Sequence, residues 1–147
     1  MNWKYLRACA WVDTRARFVA GTPLGGSLLD LGSSDGQTLG HIAELRPDLR
    51  LFAADSAGTP ENYPAGCQFQ RADLEQERLL WAAETMESVT CMQLVEHLRD
   101  STLLLQEAAR LLRPGGRIYF ETPASEIAHS FQPARPGSGD FHAELLR

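Results

Sequence analysis

Residues 28–36 read LLDLGSSDG, an apolar run closed by an acid and followed by a turn of glycine and serine. A strand that ends in such a turn and opens into a helix presents unpaired backbone N–H groups and a close approach path to a ligand. The turn therefore suits a cofactor, and its spacing separates the cofactor classes. A dinucleotide fingerprint, G-x-G-x-x-G, uses its second glycine to let the backbone near the pyrophosphate and its third to pack helix on strand. Ser34 and Gln37 occupy those places after Gly32, which argues against a nicotinamide dinucleotide. Other residues able to do chemistry are sparse. Asp55 ends the run LFAAD and Asp73 stands in RADLE; each is a candidate ligand contact or a turn residue, since aspartate favours both. Glu96 and His97 form an adjacent acid and imidazole. His41, His129 and His142 have no i,i+4 partner and no cysteine or acid at ligand spacing, so no metal site is expected. No side chain is identifiable as a catalytic base.

The elements that must hold these residues follow from periodicity. Tyr5, Cys9, Val12, Ala16 and Val19 fall on one helical face, which predicts a helix over 3–20. Glycine and proline break it at 21–26, and Ser27–Leu31 forms a short apolar strand of the kind buried on both faces. Leu39, Ile42 and Ala43 give the next helix, closed by Pro47. Leu51–Asp55 is the second strand, 56–66 a loop rich in Gly, Pro and Asn, and Cys67–Ala72 the third strand. Residues 74–87 fit either a short helix or a packed loop, and Ser88–Gln93 is the fourth strand. Asp100 or Ser101 caps a helix whose apolar stripe is Leu104, Ala108, Leu111 and Leu112, stopped by Pro114, Gly115 and Gly116. Arg117–Thr122 is the fifth strand; its alternation of Ile118 and Phe120 with Arg117, Tyr119 and Glu121 suggests one less buried face. Strands alternating with helices predict an α/β fold, a doubly wound, mostly parallel sheet of about five strands. Beyond it lies a Pro- and Gly-containing tail, 123–147, whose residues Phe141–Leu146 could make one helical turn.

Composition narrows the function classes. A chain of 147 residues forms about one domain and buries roughly two thirds of its unfolded surface. Its net charge of −5 and single lysine, Lys4, leave no basic face for phosphate contacts, which argues against nucleic-acid binding. Cys9, Cys67 and Cys91 are odd in number and lack C-x-x-C spacing, so reduced core thiols are expected, not disulfides or a zinc knuckle. No stretch approaches a membrane span, and MNWKYLRACAW has no apolar signal core. A cytoplasmic protein is expected.

Asp30, Gly32, Ser34 and Gly36, at alternate positions, resemble the first motif of the class I S-adenosylmethionine-dependent methyltransferases, an acid followed by three glycines, with Ser34 in place of the middle one. The resemblance continues through Asp55, Asp73, SVTCMQLVEHLRD at 88–100 and LLRPGGRIYFETP at 111–123, in the family's order. It implies a Rossmann-like S-adenosylmethionine-binding domain over 1–122, with an N-terminal helix at 1–20, and a methyltransferase whose product is S-adenosylhomocysteine. The implied cofactor contacts are Asp30, Gly32, Ser33, Ser34, Gly36, Asp55, Ser56, Asp73, Leu74, Met92, Gln93 and His97. Asp30 would attract the ammonium, N–H groups of 32–36 the carboxylate, Asp55 the two ribose hydroxyls, and Asp73 the adenine amino group. Met92 and Gln93 would lie beside the adenosine and methionine moieties. A carboxylate suits the ribose because it offers two oxygens to adjacent donors. A ligand with a sulfonium and an ammonium but no phosphate suits an acidic chain.

Two departures from the family pattern carry expectations. Ser34 has a Cβ where the pattern has none, so it fits the turn at negative φ. Members of the family continue past the fifth strand with a helix and an antiparallel strand pair that help form the acceptor pocket, so the resemblance implies a sheet truncated after strand five. The chain is then a piece of a longer enzyme, or a small enzyme completed by a homodimeric or other partner on the strand-five edge, or a non-catalytic module that binds cofactor or assembles with a partner. The methyl acceptor, small molecule or protein, is not named by the sequence.

Overall fold

The computed structural model describes residues 14–122 and the backbone of 141–146. In chain order the elements are α1 (Thr14–Ala20), β1 (Ser27–Leu31), α2 (Gln37–Leu45), β2 (Arg50–Asp55), β3 (Gln68–Arg71), β4 (Met86–Met92), α3 (Thr102–Leu111), β5 (Leu112–Thr122) and β6 (Phe141–Leu146). Short 3-10 turns cover Pro60–Asn62 and Val95–His97. One sheet runs in the order β3-β2-β1-β4-β5-β6; the first five strands are parallel, and β6 is antiparallel to β5. The chain leaves β1 toward β2 on one side and returns through β4 on the other. That reversal of strand order opens a crevice at the carboxyl ends of β1 and β4, where ligands of such sheets bind.

Alternation along the strands separates two cores. Leu28, Leu51 and Ala53 face Val19, Leu39 and Ile42 on the α1–α2 side, while Leu29, Leu31, Val89, Cys91 and Ile118 face Leu104, Ala108 and Leu111 of α3. Because both faces of β1 are covered, all five of its residues are buried, as a parallel central strand requires. Arg46 closes the floor beneath α1, where its guanidinium donates to the carbonyls of Val19, Ala20 and Thr22 and pairs with Asp48 at 2.7 Å. Among the described residues no helix is long and apolar enough to cross a membrane.

The parallel α/β sheet agrees with the sequence, and several local expectations need correction. Only the last turns of the 3–20 helix are described; its residues 3–13, with Tyr5, Cys9 and Val12, lie outside the described residues. Gln93, expected in strand four, leaves the sheet in a left-handed conformation at φ 56°. Leu112 opens β5 rather than closing α3, since its ψ of 129° is extended. Pro114–Gly116 therefore sit inside β5, in a bulge where pairing jumps from Met86–Leu112 to Ser88–Arg117. Of the two forms open to 74–87, residues 74–85 take the packed loop: they are held against α3 by Glu107, which accepts from the Leu79 N–H, and by Arg110, which donates to the Leu79 and Trp81 carbonyls. Tyr119 and Glu121, expected on a less buried face, are both buried because α1 lies over them, with Phe18 5.5 Å from the Tyr119 ring.

Phe141–Leu146 is a strand, not a helical turn, and pairs with β5 from Arg117–Leu146 to Thr122–Phe141. A row of backbone donors and acceptors on β5 would otherwise lack ladder partners, and that requirement overrides the helix preference of Ala, Glu and Leu. The strand-five edge, for which a partner subunit is one of the three explanations above, is taken by the chain itself, and β6 is the outer strand. The rest of the Pro/Gly tail, 123–140, lies outside the described residues.

Candidate functional site

The turn after β1 is left-handed at three alternate residues, Gly32 (φ 75°), Ser34 (φ 48°) and Gly36 (φ 76°). A Cβ on Gly32 would stand 2.9 Å from Leu94 Cδ2, and one on Gly36 would fall on the Asn62 carbonyl, so glycine is required at both by space as well as by φ. Ser34 corrects the expectation of negative φ. A left-handed serine costs about 1–2 kcal/mol, and both its backbone polar groups are held. Its N–H donates to Asp55 Oδ2 at 2.8 Å, and its carbonyl accepts from the Tyr63 hydroxyl at 2.9 Å. The other N–H groups of the turn are largely taken: Gly32 and Ser33 donate to the Ala54 carbonyl and Gly36 to that of Ser33.

Among the described residues, two clefts open at the carboxyl ends of the strands. The larger, about 400 Å³, is walled by Arg15, residues 32–35, Gln37, Thr38, Met92, Gln93 and Glu121. The smaller, about 320 Å³, is walled by Asp55, Ser56, Asp73, Leu74, Glu75, His97 and neighbouring leucines. Leu94, which walls the smaller cleft, also packs over Gly32 of the larger. Of the residues singled out from the sequence, Gly32, Ser33, Ser34, Met92 and Gln93 line the first cleft, and Asp55, Ser56, Asp73, Leu74 and His97 line the second. Gly36 and Asp30 line neither; both are buried beneath the turn. Asp30 accepts from the Thr90 hydroxyl at 2.7 Å. Burial pushes its ionisation up to about 7, the Thr90 bond opposing and the neighbouring Asp55 charge adding to the rise.

A family model described as a methyltransferase domain matches residues 3–142. The chain belongs to the methyltransferase-domain family. It is 32% identical over 101 residues to a ubiquinone biosynthesis O-methyltransferase of Paracidovorax citrulli, covering 67% of this chain and 40% of that protein; it therefore spans less than half of that relative's length. Among solved structures, a TehB-like SAM-dependent methyltransferase from Corynebacterium glutamicum superposes with a TM-score of 0.71 at 18% identity, over 97% of this chain and 92% of that one. A coclaurine N-methyltransferase bound to N-methylheliamine and SAH gives 0.58 at 20% identity, over 81% and 34%.

The sequence reading of this methyltransferase domain missed three wall or support residues. Glu121, at the end of β5, is 1% exposed and is held by Arg15 at 3.3 Å, by the Tyr119 hydroxyl at 3.1 Å and by Gln93 Nε2 at 3.3 Å. Its place at a strand's carboxyl end was the available signal; Arg15, on a helix 106 residues away, had none. Tyr63, in the 56–67 connection, stacks on Phe69 at 4.6 Å. Of the acid and imidazole pair, His97 is exposed, and Glu96 Oε2 is buried without a hydrogen-bond partner. Asp55 and Asp73 also serve as turn residues, accepting from the Ala57 and Glu75 N–H groups. No metal-holding group of side chains occurs among the described residues. Cys67 and Cys91 are unpaired, and burial pushes the Cys67 thiol up to about 11.

Proposed function

We propose that this domain binds S-adenosylmethionine across the two clefts and transfers its methyl group to an acceptor, leaving S-adenosylhomocysteine. Convergence supports the reading: segments 32–34, 55–56, 73–74 and 92–97, far apart in the chain, reach adjoining clefts at the point where strand order reverses. The carboxylates of the described walls, Asp35, Asp55, Asp73, Glu75 and Glu121, suit a ligand that carries a sulfonium and an ammonium and no phosphate. In this reading the larger cleft takes the amino-acid end, with Arg15 toward its carboxylate. The smaller takes the adenosine, with Asp55 toward the ribose hydroxyls and Asp73 toward the adenine.

Bound S-adenosylmethionine supplies an electrophilic methyl, to which an acceptor lone pair bonds as the carbon–sulfur bond breaks and sulfur leaves as a neutral thioether. The protein's part is alignment and exclusion of water. Leu94, between the clefts, provides an apolar wall for that purpose. The relative from Paracidovorax citrulli is named an O-methyltransferase, so a hydroxyl acceptor, which must lose its proton, is the first class to assay. The unpaired thiols of Cys67 and Cys91 fit a reducing cytoplasm as the place of the reaction.

Calorimetry with S-adenosylhomocysteine tests the reading. Binding is expected, and Asp55→Ala should weaken it by about 1–3 kcal/mol. No heat from the unaltered protein would overturn the cofactor assignment; unchanged affinity of a folded Asp55→Ala variant would leave Asp55 a turn residue only. The bonds that both Asp55 oxygens already accept from backbone N–H groups support that turn role for Asp55. Cofactor uptake with no methyl transfer across a panel of hydroxyl and amine acceptors would select a domain that binds without transferring.

A further inference from the structure

Ser34 is an L-residue in a conformation that favours glycine, at the middle of the turn that walls the larger cleft. Something must hold it there, and both holding groups come from the connection between β2 and β3. Asp55, the last residue of β2, takes the Ser34 N–H; Tyr63, near the end of the connection, gives its hydroxyl proton to the Ser34 carbonyl. Having one proton to donate, the phenol must accept from the Ser33 hydroxyl, 3.0 Å away. Burial raises the ionisation of Tyr63 above the ordinary phenol value, so it remains a donor at neutral pH.

The surrounding chain is folded tightly around these bonds. A Cβ on Gly58, itself left-handed at φ 84°, would stand 3.0 Å from both the Ser34 carbonyl and the Tyr63 hydroxyl. One on Gly36 would stand 2.9 Å from the Tyr63 ring. The ring is 8% exposed and stacked on Phe69. Tyr63 therefore touches the turn at Ser33, Ser34 and Gly36, although it lines neither cleft.

We infer that Tyr63 is a positioning residue for the cofactor turn: its hydroxyl, acting with the Asp55 carboxylate, holds Ser34 left-handed and so sets the wall of the larger cleft. The inference rests on reading that cleft as the S-adenosylmethionine site. It separates from a mere packing role because the requirement for the hydroxyl depends on Ser34 being serine. Glycine adopts the left-handed conformation unaided, so the brace is dispensable in an S34G background.

The test is a cycle of four proteins, unaltered, Y63F, S34G and the double variant, titrated with S-adenosylhomocysteine and followed by amide hydrogen exchange at Ser34 without ligand. Y63F keeps the ring stack and loses the hydroxyl. It should weaken binding about fivefold to tenfold and speed exchange of the Ser34 amide, while in the S34G background the same change should cost less than about twofold in affinity. Unchanged affinity and exchange in Y63F would overturn the inference. So would an equal loss in both backgrounds, which would make Tyr63 a packing residue. If the unaltered protein takes up no S-adenosylhomocysteine, the cofactor reading fails, and exchange at Ser34 alone decides the brace. If Y63F does not fold, the inference requires the double variant to fold; an unfolded double variant would overturn it.

Discussion

The larger and smaller clefts are built by opposite means. The larger is walled by groups whose positions are forced: left-handed Gly32, Ser34 and Gln93, and a buried Glu121 saturated by Arg15, Tyr119 and Gln93. The smaller is walled by carboxylates that are partly open to solvent and bonded to the backbone just ahead of them, Asp55 to Ala57 and Asp73 to Glu75. A rigid wall aims its groups without reorganising when a ligand arrives. A carboxylate on a local turn must share or surrender an N–H bond to take a new donor. The pairing teaches that the amino-acid end of the ligand is expected to find its place preformed, and the ribose end to require exchange of partners. Asp55 belongs to both, since its other oxygen takes the Ser34 N–H.

The comparison breaks first at Gly36. Gly36→Ala sets a Cβ onto the Asn62 carbonyl at φ 76° and should cost about 3 kcal/mol of stability in urea unfolding; a loss below about 1 kcal/mol would mean that the wall is not rigid. Next is Glu121→Gln, which keeps the shape and removes the charge facing Arg15, and is expected to cost about 2 kcal/mol. Its signature is loss of ligand affinity along with stability, whereas an exposed pair would give neither. The effect sharpest in pH lies at Asp30. Because burial lifts its carboxyl from 3.8 to about 7, the folded state keeps the proton longer than the unfolded chain, and stability falls as pH rises from about 4 to about 7. Asp30→Asn should flatten that slope, so its advantage over the unaltered protein grows between pH 5 and pH 8.

What was legible in the sequence is what neighbours along the chain decide. SLLDL reads as a central strand because four of its five residues are apolar or small enough to bury on either face, and the glycines at 32 and 36 mark left-handed turn positions. Ser34 was illegible for the opposite reason. Its φ is held by Asp55 and Tyr63, 21 and 29 residues away, and no local preference of serine anticipates them. Glu121 reads as a solvent-facing strand residue until α1 is laid over it. Phe141–Leu146 reads as a helical turn until β5 supplies a ladder, and Pro114–Gly116 reads as a helix stop until Leu112 is seen to turn extended earlier. In each case a partner distant in sequence overrode a correct local preference.

Among the described residues, the connection from β2 to β3 is the most exposed long loop, with Ser56, Ala57 and residues 59–62 all open to solvent. By exposure alone it would be chosen as the place to accept added residues, as surface loops commonly are. It also crosses between parallel strands at close to the minimum of about a dozen residues, with Tyr63 reaching back to Ser34 at its far end. Its length is thus a dimension of the site: each residue added there carries the phenol away from the turn. Tolerance of insertion in this fold belongs to the irregular stretch at 82–84, where the chain is equally exposed and nothing in either cleft depends on its reach.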